Sequence, residues 1–242
     1  MSENTKKASV IINGNGTSPG GDYDTVKING SGKIEGDFTC EDFAINGSGK
    51  AMGAVQSKQV HISGSGHIFG AVKTNELKAR GAATFDDTVS CESAYISGAS
   101  TFLKNLDANK VRVSGSVKID ADCSADTFSS TGLFQIGGLL SADTIDIRLG
   151  LVKSTAKEIG GEKIDIRTTP GRAKVRSFFG AEKPLLETDS IEGNEISLES
   201  TRAKVVRGHN VNLGSGCDID VVEYTGVLKK TGDAKVGEEK KV

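Results

Sequence analysis

Few residues in this chain have the types that do chemistry, and their spacing argues against each. The three histidines are His61, His67 and His209. His61 and His67 stand close together in the chain, and the local pattern turns both outward. A metal site would need carboxylate, Cys or further His converging on them, so they read as solvated surface side chains. Gly30-Ser31-Gly32 looks like the opening of a nucleotide-binding glycine loop. Such a loop works by leading into a helix whose N-terminus meets phosphate. No helix follows here and the triplet returns at Gly47-Ser48-Gly49 and Gly64-Ser65-Gly66, so these glycines read as corners. No set of Ser, His and Asp is suggested. Asp86-Asp87 falls at a bend, as solvated carboxylates. Cys40 and Cys91 share a register three repeats apart, about 14 Å by strand spacing, too far for a disulfide. Four reduced thiols in a cytosolic protein follow. No catalytic, cofactor-binding or metal-binding residue is expected, and no cofactor.

One charge feature stands out. Arg172, Lys174 and Arg176 alternate, which on a strand puts them on one face. Arg202 and Lys204 repeat the start of that pattern. Stacked, the five make a candidate docking strip for an acidic partner or anionic lipid. The alternative is an ordinary solvated face balanced by Glu182, Glu187, Glu192 and Glu199. The chain carries 30 Lys and Arg against 32 Asp and Glu. That balance leaves no bulk electrostatic footprint for nucleic acid. The start, MSENTKK, has no apolar core of a signal peptide. No run approaches the 18 or so apolar residues of a membrane span.

What positions these residues is a seventeen-residue phrase repeated from Val26 to Arg148. Its first position is Val26, Phe43, Val60, Leu77, Ala94, Val111, Phe128 and Ile145. Its fifth is Gly30, Gly47, Gly64, Gly81, Gly98, Gly115 and Gly132. Such repeats settle the architecture before other signals. Within a copy, apolar or small residues take the odd positions, which is strand alternation. An odd period would put the next copy on the wrong face, so each copy needs a parity reset. The polar pairs Glu41-Asp42, Lys58-Gln59 and Asn75-Glu76 supply it. Glycine at the fifth position and often at the eleventh marks two further bends, attributed to the ease with which glycine takes φ > 0. Three bends leave three short strands per copy, one turn of a three-sided parallel β-helix. The fold class is all-β. Equivalent side chains then stack in ladders, with Ile34, Ala51, Ile68, Phe85, Phe102, Ile119 and Ile136 in one of them and Phe85 on Phe102. With 31 Gly and 3 Pro, the composition suits a many-cornered solenoid and not collagen. The period also breaks the three sixes of hexapeptide acyltransferases.

In chain order, residues 1–8 read as a polar, disordered tail. Val10–Ile12 opens a degenerate first coil whose IINGNG is echoed by KINGSG sixteen positions on. It serves as a cap, or as a foot on a membrane surface beside Lys6 and Lys7. The solenoid spans 9–228, regular over 26–148 and irregular over 149–228. IDIR at 145–148 and 164–167, ISLE at 196–199 and VNLG at 211–214 mark the later coils, one irregular coil lying near Pro184-Leu185-Leu186. A separate small β domain from about residue 155 is the competing organisation. Residues 229–242 read as a polar tail. Ile219 and Val221, alternating in the last strand-like stretch, are the candidate polymer end contact.

The corners Ile45-Asn46-Gly47-Ser48-Gly49 and Ile68-Phe69-Gly70-Ala71-Val72, in tandem short coils over about residues 23–145, resemble the bactofilins, the polymer-forming cytoskeletal proteins of bacteria. The resemblance implies a right-handed β-helix that stacks end to end into filaments without nucleotide. It implies a scaffold in cell-shape, wall-synthesis or motility processes, with no catalytic residues. Implied partners are further copies of the chain, other bactofilin-like and envelope-associated proteins and a membrane surface, and not nucleic acid. The implied location is the cytoplasm, including the inner face of the cell membrane. The competing reading is a monomeric, adhesin-like binding module with capped ends. An open solenoid end favours the polymer, because an unpaired strand edge is a template for another chain.

Overall fold

The computed structural model describes residues 7–150, 152–169 and 186–242. Among them every regular element is a strand, and all registered pairings are parallel. The chain is a right-handed parallel β-helix that divides into two compact units, residues 1–109 and 110–242.

The first unit opens with β1 (Ala8–Ile12), β2 (Asn15–Ile28) and β3 (Ser31–Ile45). It then alternates four-residue with eight-residue strands. The short ones are β4 (Ser48–Ala51), β6 (Ser65–Ile68), β8 (Ala82–Phe85) and β10 (Ala99–Phe102). The long ones are β5 (Val55–Ile62), β7 (Val72–Ala79) and β9 (Val89–Ile96). Each stacks on its counterpart one repeat away, as Ser48 on Ser65 and Val55 on Val72. The long strands are two sides hinged at the polar pair. In β5 buried and exposed residues alternate until Lys58 and Gln59, both exposed, after which Val60 and Ile62 are buried again. This is the parity reset that the odd period requires.

The side chains inside are fixed by the ladder. Phe85 and Phe102 are wholly buried and stack with centroids 4.6 Å apart and planes at 9°. Bulk is traded between neighbouring inward positions. Gly49 leaves room for Ile45, whose Cγ2 would lie 2.9 Å from an added Cβ. In the second unit the trade is reversed. There Phe134 fills the glycine's place, and Ser130 stands where Ile45 stood.

The glycine corners have a different cause from the one the sequence suggests. Of the fifth- and eleventh-position glycines among the described residues, only Gly36 has positive φ, at 87°. Gly47, Gly64, Gly81, Gly98 and Gly132 instead sit against the carbonyl oxygen of the glycine one coil earlier, inside the space a Cβ would need. The constraint is close approach of two backbones, not a left-handed turn.

β11 (Leu106–Val113) contains the division between the units. The second unit continues with β12 (Ser116–Ile119), β13 (Cys123–Ser130), β14 (Leu133–Leu149), β15 (Ser154–Thr168), β16 (Leu186–Leu198), β17 (Thr201–Leu213), β18 (Asp218–Lys230) and β19 (Lys235–Lys241). The repeated IDIR segments stack as expected, Asp146 on Asp165 and Arg148 on Arg167. Within this unit β15 therefore lies directly on the regular β14. Ile164 then pairs with Ile196, a step of 32, and Ile196 with Val211, a step of 15.

Two boundaries differ from the sequence reading. Strand β1 starts at Ala8, and residues 1–6 lie outside the described ones. Residues 229–242, read as a polar tail, instead complete β18 and supply β19, which pairs with β18 from Asp218 on Lys235 to Tyr224 on Lys241. Five of the seven residues of KVGEEKK are charged, so no apolar alternation announces the strand. Backbone pairing to the coil beneath makes it.

Candidate functional site

The chemistry available on the walls is mostly spent on the fold. At the hinge of each long strand the inward residue before the polar pair is small. Here the Ser57 hydroxyl lies 3.0 Å from the Glu41 carbonyl oxygen and 2.7 Å from that of Gln59. Thr74 repeats this against Lys58 and Glu76, and Thr188 against Lys157 and Ser190. The hydroxyl donates to carbonyls that the bend turns away from the ladder, which matters because an unsatisfied buried acceptor is costly. Acidic side chains do the same for N–H groups. Asp37 accepts from Ala54 at 2.7 Å, and Asp122 from Leu139 at 2.8 Å. Asn46 donates to Asn29, and Asn29 to Asn13, both at 2.8 Å. The hinge hydroxyls escaped sequence reading, although their column of Cys40, Ser57, Thr74 and Cys91 at one repeat position was a visible signal.

The histidines do not converge. His67 bonds Asp86 at 2.8 Å and stacks on Phe69, centroids 3.8 Å apart. His61 lies 3.7 Å from Glu76, whose carboxyl is held below its ordinary range first by a hydrogen bond from Lys78. His209 bonds the Thr225 hydroxyl at 2.7 Å. Among the described residues no group of three or more His, Cys, Asp or Glu is placed to hold a metal. The four cysteines are buried and form no disulfide. Burial pushes the Cys91 thiol from an ordinary 9.0 up to about 12 and that of Cys217 to about 11, and raises Cys40.

An acid whose pKa is higher in the fold than in the unfolded chain loses stability as pH rises past the unfolded value. The stability tied to these neutral thiols is therefore complete below about pH 9 and falls through the window from 9 to about 12. We expect the denaturation midpoint to drop over that window, and Cys91→Ala to flatten the drop. A midpoint whose pH dependence is the same with and without Cys91 would refute this.

The candidate docking strip is only partly described. Arg172, Lys174 and Arg176 lie outside the described residues. Arg202 sits in a ladder with Glu187 on one side and Asp218 on the other, 3.4 Å from a carboxylate oxygen of each. Lys204 pairs with Asp189 at 2.7 Å. Over 202–204 the face alternates in charge.

The remaining candidates are the two terminal edges. The first unit begins with Ala8–Ile12 and Asn15–Pro19, ten residues without a charge. Val10 and Ile12 continue the inward ladders of Val26 and Ile28 but are only half-buried, and Ile11 is 57% exposed. The ladder position of Ile34 is taken there by Ser18. Among the described residues β1 pairs with β2 alone.

The second unit ends on Val227–Lys230 and Lys235–Lys241, where seven of eleven residues are charged. The candidate end contact of Ile219 and Val221 is covered by β19. Ile219 is buried beneath Val236, and Val221 lies under Glu238. Val221 also does not share the facing of Ile219. A hinge falls between them, and Val222 takes the inward place.

Comparison with known proteins agrees with this geometry. Residues 4–90 match the family model of the bactofilins, described as polymer-forming cytoskeletal. Two proteins of Bacillus subtilis strain 168 are similar over part of their length, both named only as uncharacterized. YhbF is 42% identical over 81 residues, and YhbE 40% identical over 80. Each match covers about a third of this chain and about a third of the relative, so the chain spans only that share of the relatives it matches. No solved structure matches significantly.

Proposed function

We propose that this protein is a cytoskeletal scaffold that assembles with further copies of itself, end to end and without nucleotide, and positions other proteins. The observation that carries the proposal is the first edge. It offers ten uncharged residues and two half-buried apolar ladders, and it lies inside the segment that matches a polymer-forming family. A strand edge whose inward positions are apolar is what proteins normally blunt when they avoid association. The family role is structural rather than enzymatic, in line with walls whose polar groups are used internally. The cytoplasmic location, the membrane surface and the cell-shape, wall or motility roles extend the same reading. Among the described residues no helix is long and apolar enough to cross a membrane.

The alternative, a monomeric binding module with covered ends, has the charged last coil on its side but not the first coil.

Electron microscopy and pelleting of purified protein without nucleotide test the proposal. Filaments are expected from the unmodified chain. Ile12→Lys should abolish them while the strand signal in circular dichroism persists, because at the first coil the new ammonium still reaches water in the monomer. Filaments unaffected by Ile12→Lys would remove the first edge as the contact. A concentrated chain that stays monomeric would favour the binding module.

A further inference from the structure

The inward ladders of the second unit end on charge. Lys230 stands on Leu213 and Glu239 on Val222, and both supporting residues are wholly buried. Lys230 and Glu239 approach from two sides of the coil and form an ion pair with each other. Leu228 and Val236, the other inward residues of this coil, are left half-buried beside them. Lys240 pairs with Glu238 at 3.2 Å, and the Lys241 ammonium stands 6.0 Å from the Tyr224 ring centroid.

The strength of the pair is secondary, since a part-exposed ion pair adds little to stability. Its effect lies in what a second molecule would have to do to seat on this coil. It would strip water from both charges and lay a strand edge or apolar surface against them. Burying charge is unfavourable unless each group finds a matched partner. Lys235, Glu238, Lys240 and Lys241 extend the charge along the β19 edge, and charged residues, Lys above all, keep exposed edges from pairing. At the first edge the ion pair, Lys7 with Asp22 at 2.8 Å, stands beside the ladders, and the inward positions themselves are Val10, Ile12 and Ser18.

We infer that the Lys230–Glu239 pair is a lid that hinders a second copy of this chain from docking on the C-terminal coil, making that coil the limiting contact in assembly. The inference rests on the end-to-end reading and adds a restraint to it.

Lys230→Leu combined with Glu239→Val restores the side-chain types of the ladders beneath. The double variant should form ordered polymer at a concentration lower by about tenfold or more than the unmodified chain requires, with unchanged circular dichroism. Lys230→Glu with Glu239→Lys keeps both charges and should behave as the unmodified chain. Glu239→Gln removes one charge at equal size and should fall between, which secures the test should the double variant fold poorly. The lid is overturned if the apolar variants assemble no more readily than the unmodified chain, if they give only amorphous precipitate, or if the charge-exchanged chain assembles as readily as the apolar one. Ile12→Lys separates the two ideas. If it associates like the unmodified chain, the end-to-end reading through the first edge fails, whereas the lid is judged only on the variants at 230 and 239.

Discussion

Phe85→Ala should destabilise the first unit by about 3–5 kcal/mol, measured as the shift in its denaturant midpoint at constant slope. Phe85 is wholly buried, and its ring lies flat on that of Phe102 one coil away. Truncation removes the transfer free energy of the ring and leaves a cavity that the stacked coils cannot collapse into. Ile68 on one side and Phe102 on the other are held in register by their own backbones. Phe102→Ala should cost a similar amount. The double variant should cost less than the sum by about 0.5–1.5 kcal/mol, the share carried by the ring pair itself. Full additivity would show that the rings share a core without interacting.

Gly81→Ala is expected to cost about 3 kcal/mol or more, at the upper end of overpacking effects. The added Cβ would fall 2.5 Å from the Ser63 carbonyl oxygen and closer still to that of Gly64. Neither atom can move without opening the spacing between two coils, because Arg80 N donates to Ile62 O at 2.8 Å and Ala82 N to Gly64 O at 2.9 Å. Gly160→Ala is the control. Its Cβ would meet nothing closer than Leu139 Cδ1 at 3.8 Å, so the exchange should be neutral or mildly stabilising through the unfolded chain. Equal costs at the two sites would place the effect in chain entropy instead of the carbonyl contact.

Gly81 also shows where the sequence stopped being informative. Its recurrence once per repeat revealed the corner, the coil and the period. The reason for glycine there did not follow, because a sequence displays the torsions open to a residue and not the neighbouring backbone that closes on it. The Phe85–Phe102 stack was legible because repeat position alone dictates ladder neighbours. So was the hinge at Lys58-Gln59, which the odd period demands. The last coil was not legible. KVGEEKK lacks the alternation that betrays a strand, since of its inward positions Val236 is apolar but Glu239 is charged. Extending the ladder by one further repeat from Leu213 and Val222 would have pointed to Lys230 and Glu239, and would have moved the end contact away from Ile219 and Val221. For Arg202 and Lys204 the alternation pointed to a shared face, on which their ion-pair partners are Glu187, Asp218 and Asp189. Arg172, Lys174 and Arg176 fall within the step of 32 between β15 and β16, outside the described residues, and no periodic signal announces a step of that size.

The uniform step between β4, β6, β8 and β10 has a consequence at the level of the gene. Each coil meets the next through the same ladders, so a coil copied or removed whole leaves both new neighbours in register. Near-identical segments such as INGSG at 28–32 and 45–49 are natural sites for misaligned recombination. A duplication or deletion of seventeen codons keeps the reading frame and the parity of every inward position. Loss or gain of one codon within a strand would instead turn the following apolar column outward. Variation in length among descendants of this gene should therefore come in whole coils over residues 26–148, and in arbitrary steps only where the ladder already skips, between β15 and β16.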